Sequence, residues 1–218
     1  MIFTRNFAPP ALCQKEILRY AGCRTPDPAT EELLSSCLEE AMCQLTYGVC
    51  WGEFPVKISG SLCQIGEISV TSGHLAKNLT DCDAAVVFAA TVGPRLDRLI
   101  GKYSSLSPAR ALMLQAIGAE RIEALCDAFC RSLREEKSIG TKPRFSPGYG
   151  DLPLQAQQDI FSLLSPHRHI GLTLTQSLLM SPSKSVTAFV GLTKQETPTH
   201  TGGCSLCDKK DCQFRGAL

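Results

Sequence analysis

Apolar residues recur along the chain with two different periods, and the changes of period mark out its elements. Pro9-Pro10 opens a helix running to about Tyr20, with Leu12, Ile17 and Leu18 apolar and Gly22 placed to stop it. A second helix follows, with Thr30 positioned to cap it, Glu31 and Glu32 in its first turn, and Leu33, Leu34, Cys37, Leu38, Ala41 and Met42 at helical spacing. Residues 55–59 and 64–70 alternate, as in Ile65-Gly66-Glu67-Ile68-Ser69-Val70, which predicts two neighbouring half-exposed strands and then a short helix over 73–79. Ala84 to Val92 is an almost unbroken apolar run, expected of a strand covered on both faces. Gly93-Pro94 ends it before a helix carrying Leu96, Leu99 and Ile100 on one side. That order brings free helix N–H groups to a sheet edge, where ligands often bind, although the glycine spacing is not that of a phosphate loop.

Ser107-Pro108 begins the longest helical pattern, to about residue 136, with Leu112, Ala116, Ala119, Ile122, Cys126, Phe129 and Leu133 along one face. Gly118 lies within that face. A mid-helix glycine costs about 1 kcal/mol against alanine, so it predicts close packing on a neighbour or ligand. Leu154 to Leu164 reads as an amphipathic helix with Ile160, Phe161 and Leu164 turned inward. Residues 171–180 and 185–192 are apolar stretches joined by Ser181-Pro182-Ser183-Lys184, which predicts a hairpin.

Composition narrows the class. A chain of 218 residues with 44% hydrophobic content can bury a substantial core in one domain, with room for a small appendage. The net charge of +1, from 22 basic and 21 acidic residues, argues against a nucleic-acid partner. Met1 to Ala11 lacks the apolar run of a signal peptide, and no stretch approaches the ~20 apolar residues of a membrane span, so a soluble cytoplasmic protein is expected. Nine of the twelve cysteines, among them Cys37, Cys43, Cys126 and Cys130, are scattered singly and are expected as free packing residues. His74, His167 and His169 read as packing or loop residues. No Ser-His-Asp, paired-carboxylate or zinc-hydrolase arrangement is present.

Arg144-Phe145-Ser146-Pro147-Gly148-Tyr149-Gly150 interrupts the regular patterns. Pro147 fixes its own φ and pushes Ser146 toward an extended conformation, while Gly148 allows close approach to the backbone. The segment reads either as a rigid recognition strap or as a surface turn joining two elements. Downstream lie Gly171-Leu172-Thr173-Leu174-Thr175-Gln176-Ser177 and Met180-Ser181-Pro182-Ser183-Lys184-Ser185-Val186.

Together, Arg-x-Ser-Pro-Gly-Tyr, Gly-x-x-Leu-Thr-x-Ser and Met-x-Pro-x-x-Ser-Val resemble the S-adenosylmethionine-binding activation domain of cobalamin-dependent methionine synthase, in a stand-alone form. The resemblance covers roughly residues 144–190, with a looser similarity from about residue 84. It implies an α+β fold, with a mixed or antiparallel sheet flanked by helices, over residues 1–193. It also implies that the strap lies along the ligand, with Ser146, Pro147 and Gly148 offering backbone, Arg144 meeting the ligand carboxylate and Tyr149 packing on or bonding to it. Ala116 to Ala124 is similar to the family's long helix, and Glu123 stands at the position whose glutamate faces the ligand's ammonium; by its own pattern Glu123 reads equally as a solvated glutamate. The implied function is reductive methylation, or reactivation, of a cobalamin cofactor carried by a separate methionine synthase or other corrinoid protein, since no Asp-x-His-x-x-Gly signature occurs here. An electron donor such as a flavodoxin or ferredoxin is implied with it. The first ~80 residues lack the family's acidic-aromatic opening motif.

Residues 194–218 read as a polar tether and a cysteine-rich tail. Cys204, Cys207 and Cys212 form a C-x2-C-x4-C cluster that suits zinc or an iron–sulfur cluster, with His200 or another cysteine needed as a fourth ligand. A redox dithiol and an inert tail are the alternatives. A metal- or cluster-binding electron-transfer or scaffold protein, working through this tail, is the rival to the ligand-binding reading.

Overall fold

The computed structural model describes residues 1–194. In chain order the elements are β1 (Ile2–Asn6), α1 (Gln14–Tyr20), α2 (Pro28–Met42), β2 (Gly48–Ser59), β3 (Leu62–Ile65), β4 (Ile68–Thr71), α3 (Gly73–Asn78), β5 (Ala84–Thr91), α4 (Arg95–Leu106), α5 (Pro108–Lys137), β6 (Gly140–Thr141), α6 (Ala156–Leu164), α7 (Pro166–His169), β7 (Thr173–Leu174), β8 (Met180–Ser181) and β9 (Ser185–Thr193). The main sheet runs β4-β3-β2-β5-β9-β6, with β1 also on β2, and every pairing is antiparallel. The α+β class expected from the resemblance is the one observed.

Alternation on the central strands explains the layering. Val86, Phe88 and Ala90 of β5, with Ala188, Val190 and Leu192 of β9, face a core built with α1, α2, α4 and α5. Ala85, Val87 and Ala89, with Phe189, face a second core made by β3, β4, α3, α6 and Phe145. Both faces of β5 are thus covered, which is why its sequence is an unbroken apolar run. In the first core Phe129 lies 4.9 Å from Phe88 and 5.2 Å from Trp51, ring to ring. Truncating such a fully buried aromatic costs about 3–5 kcal/mol.

Several boundaries differ from the sequence pattern for identifiable reasons. The first helix starts at Gln14 rather than near Pro10, because the Pro10 and Ala11 carbonyls are engaged by the Arg121 guanidinium of α5. Asp27, not Thr30, caps α2: its carboxylate accepts the Thr30 N–H at 2.8 Å. The stretch 64–70 is not one strand but a hairpin, in which Ile65 pairs with Ile68 across Gly66-Glu67 and Gly66 adopts φ 58°. The strand expected at 55–59 extends back to Gly48, and β1 was not anticipated.

The hairpin expected of 171–180 with 185–192 does not form. Thr173–Leu174 pairs instead with Met180–Ser181, and β9 enters the main sheet between β5 and β6. Its positions, all buried except half-buried Val186, satisfy that central place better than a two-stranded hairpin would. Leu112, placed on the inner face of α5 by periodicity, is 54% exposed near the α4–α5 junction. Of the nine singly placed cysteines, six are buried free thiols, whereas Cys13 and Cys43 are exposed and Cys23 is intermediate, so packing does not account for those three.

Candidate functional site

The strap is mounted on the edge of the sheet. Lys142 N–H donates to the Gly191 carbonyl at 2.8 Å, and Phe145 and Phe189 exchange both backbone bonds at 2.9 Å, so residues 140–145 run along β9. The Phe145 ring is buried in the second core. Beyond it the chain turns. Tyr149 N–H donates to the Ser146 carbonyl at 3.2 Å, and Gly148 N–H to the Leu152 carbonyl at 2.9 Å. Gly148 has φ 89°, a conformation that favours glycine, while an added Cβ would meet nothing closer than Leu154 at 3.4 Å. Backbone geometry, rather than crowding, therefore requires glycine there. Pro147 is buried, Ser146 is intermediate and Tyr149 is 64% exposed.

Asp151 fastens the far end of the turn. Its carboxylate accepts from the Ser72 hydroxyl and from the Gly73 N–H at 2.7 Å, joining the strap to the first turn of α3. The Ser72 hydroxyl bond, reinforced by the N–H donors, holds the Asp151 carboxyl below the usual carboxylate range. Nothing in the sequence pattern marked Asp151; only its position two residues after Tyr149 could have drawn notice.

Arg144 and Glu123, 21 residues apart, are brought together. Arg144 Nη2 donates to Glu123 Oε2 at 2.8 Å, and Nη1 pairs with Asp127, one helical turn further along α5. The Arg144 side chain is 23% exposed, while the carboxylates are 46% and 63% exposed. Burial works against the Arg144 charge, but the groups around it, Cys126, Glu123, Asp127 and Cys130, outweigh burial and raise its pKa. The guanidinium is a permanent cation. It is held by two acids that are open to solvent.

Glu123 and Asp127 also line a cavity of about 300 Å³ between α5 and the N-terminal segment, whose other walls include Pro10, Ala11, Cys13, Glu16 and Tyr20. Burial, helped by Glu123, raises the Tyr20 phenol above its ordinary value. The floor of this region is a pair that the sequence reading missed. Glu120 and Arg121 are 4% and 0% exposed, the guanidinium grips its neighbouring carboxylate through Nε at 2.5 Å and Nη2 at 2.6 Å, and it donates to the Pro10 and Ala11 carbonyls, both at 2.7 Å. Glu120 also accepts the Cys13 N–H at 3.0 Å. Consecutive charged residues inside a helix read as solvated, and only their continuity with the buried positions Ile117, Gly118 and Ile122 hints otherwise.

The remaining motifs brace this arrangement. A Cβ on Gly118 would lie 2.6 Å from Leu96 and 2.8 Å from Lys184, so the close packing expected of that glycine is observed. Ser183 donates its N–H to Asp97 of α4 at 2.6 Å, and the Ser185 hydroxyl donates to Thr91 at 2.8 Å. His74 lies beside Asp151 and His169 beside Thr4, as packing and surface residues. Among the described residues no cluster of three or more His, Cys, Asp or Glu could hold a metal ion. Cys204, Cys207 and Cys212 lie outside the described residues. No helix of the described residues is long and apolar enough to cross a membrane.

The family model "Vitamin B12 dependent methionine synthase, activation domain" matches residues 71–203. Among solved structures the chain is similar to "Crystal Structure of the MetH Reactivation Domain bound to AdoHcy", with a TM-score of 0.66 and 15% identity, covering 91% of this chain and 80% of that one. No curated protein sequence matches significantly.

Proposed function

Because the chain belongs to the activation-domain family of vitamin B12-dependent methionine synthase, we propose that it binds S-adenosylmethionine and supports reductive methylation of a cobalamin carried by a separate methionine synthase or related corrinoid protein. The observation that carries the reading is the Arg144–Glu123 pair at 2.8 Å, whose carboxylate lines a cavity. A guanidinium fork and a carboxylate side by side complement the carboxylate and ammonium of an amino-acid ligand, and each can trade its present partner for one of these. When bound, S-adenosylmethionine supplies an electrophilic methyl group. The protein's part is to hold that ligand in place, with the strap backbone and Tyr149 beside it, so positioning carries the effect and no general acid or base is called for. Calorimetric titration with S-adenosylmethionine tests this. The full chain is expected to bind and Arg144→Ala to bind weakly, whereas absence of binding to the full chain at millimolar ligand would refute the reading.

The tail is assigned a separate role. By their C-x2-C-x4-C spacing Cys204, Cys207 and Cys212 suit thiolate ligation of zinc or an iron–sulfur cluster, which would serve docking or electron delivery from a donor such as a flavodoxin or ferredoxin. Iron and zinc content, with the visible absorption spectrum of the full chain, separates these from a metal-free tail.

A further inference from the structure

We propose that Glu120 and Arg121 are positioning residues for ligand binding: they hold the Pro10–Cys13 segment as the fixed outer wall of the cavity beside Glu123 and Asp127. The inference rests on the reading above. Its geometry is independent of the strap. Residues Pro10 to Cys13 precede α1 and form no regular structure, so their backbone groups take partners either from water or from elsewhere in the chain. Three of those groups, the Pro10 carbonyl, the Ala11 carbonyl and the Cys13 N–H, are satisfied by this one buried pair.

A charged pair sealed among apolar neighbours is costly to desolvate, and apolar residues of the same volume often serve stability as well or better. Stability alone is therefore a weak account of why the pair is there. What an apolar replacement could not do is grip two carbonyls and an N–H at once and fix where the segment lies. The gripped residues Pro10, Ala11 and Cys13 line the cavity opposite the acids that hold Arg144. The pair thus defines the width of the space that an amino-acid ligand would enter. Glu120 is itself part of the lining, but it is only 4% exposed and its carboxylate is engaged by Arg121 and the Cys13 N–H, so the pair acts through the wall it holds.

Cys13 makes the wall observable, because it is exposed and lines the cavity, while Cys43 is exposed and does not. Alkylation of the full chain by iodoacetamide, read by peptide mass mapping, is expected to slow several-fold at Cys13 when S-adenosylmethionine is present and to stay unchanged at Cys43. The same rates are then measured in Glu120→Leu/Arg121→Met, which removes both charges and keeps apolar volume, together with its unfolding midpoint and ligand affinity. The expected result is a folded protein in which Cys13 alkylates faster without ligand, ligand no longer shields it, and affinity falls several-fold. A folded double variant with wild-type affinity or wild-type shielding of Cys13 overturns the proposal. If that variant does not fold, Arg121→Lys, which keeps the charge but not the fork, replaces it and must show the same losses in smaller measure. Arg144→Ala separates the two readings. Loss of affinity there without loss in the Glu120/Arg121 variant refutes the positioning role alone, whereas a wild-type chain that binds no ligand refutes the functional reading and the positioning role with it.

Discussion

Helix α5 carries two arginine–carboxylate assemblies one turn apart, and they are opposite in character. Glu120 and Arg121 are sealed from solvent and bonded to main-chain groups, whereas Glu123 and Asp127 hold Arg144 with carboxylates open to water. The first assembly has no place to exchange a partner. The second can exchange either acid for a ligand group at small cost, because exposed ion pairs contribute only about 0–1 kcal/mol. On the proposed reading the same chemistry does two jobs, and burial decides which.

The sharpest way to break this comparison is to remove one arginine from each assembly. Arg121→Met leaves the Glu120 carboxylate buried without its partner and should destabilise the fold by about 3–5 kcal/mol, whereas Arg144→Met should cost about 1 kcal/mol or less, as urea unfolding would measure. Equal losses would mean that the two assemblies are not different in kind.

Ligand affinity should reverse the ranking. Arg144→Ala is expected to weaken S-adenosylmethionine binding by about 1.5–3 kcal/mol, the contribution of a charge-assisted bond, with Arg144→Lys recovering only part because it lacks the planar fork. Glu123→Gln keeps the shape and removes the charge, so calorimetry should find a smaller loss and circular dichroism an unchanged fold.

Acid should loosen the strap from the opposite end. The Asp151 carboxyl is held below its unfolded value, so its contribution is present in full above about pH 4 and is lost as pH falls through the lower folded value. Protection of the Gly73 and His74 amides, taken relative to the intrinsic exchange rate at each pH, should therefore fall below about pH 4, and Asp151→Asn should show that loss of protection at neutral pH. The smallest effect on affinity is expected from deleting residues 202–218, since Arg144, Glu123 and the strap precede the cut. That truncation should keep wild-type ligand affinity while losing reactivation of a corrinoid partner, and a parallel loss of affinity would tie the tail to the cavity.

Much of this architecture was legible in the residues. An unbroken apolar run identified β5 as a doubly covered strand, Pro147 and Gly148 marked a break in regular structure, and Gly118 announced a close contact before Lys184 and Leu96 were seen against it. Misreadings arose where one local pattern serves two structures. Cys63 and Ile65 alternate before Gly66-Glu67 and Ile68 and Val70 after it, and the one-residue shift between the two halves is easily read through, so a hairpin looked like a strand. Residues 185–192 looked like half of a hairpin with 171–180 because alternation does not say which strand lies alongside. The buried Glu120–Arg121 pair was hidden for a deeper reason: its partners are backbone groups more than a hundred residues away, which no local pattern contains.

The mounting of the strap on β9 has a mechanical consequence. β9 is bonded to β5 along all eight residues of that strand, whereas among the described residues its backbone pairing on the strap side falls at Gly140, Thr141, Lys142 and Phe145. Tension applied along the chain beyond Thr193 would load the β5 bonds in shear, many sharing the force at once, while the few bonds on the other side would carry theirs almost singly. The strap would then slip on a strand that stays put, as a sleeve slides on a fixed axle, and the sheet would outlast the grip it supports.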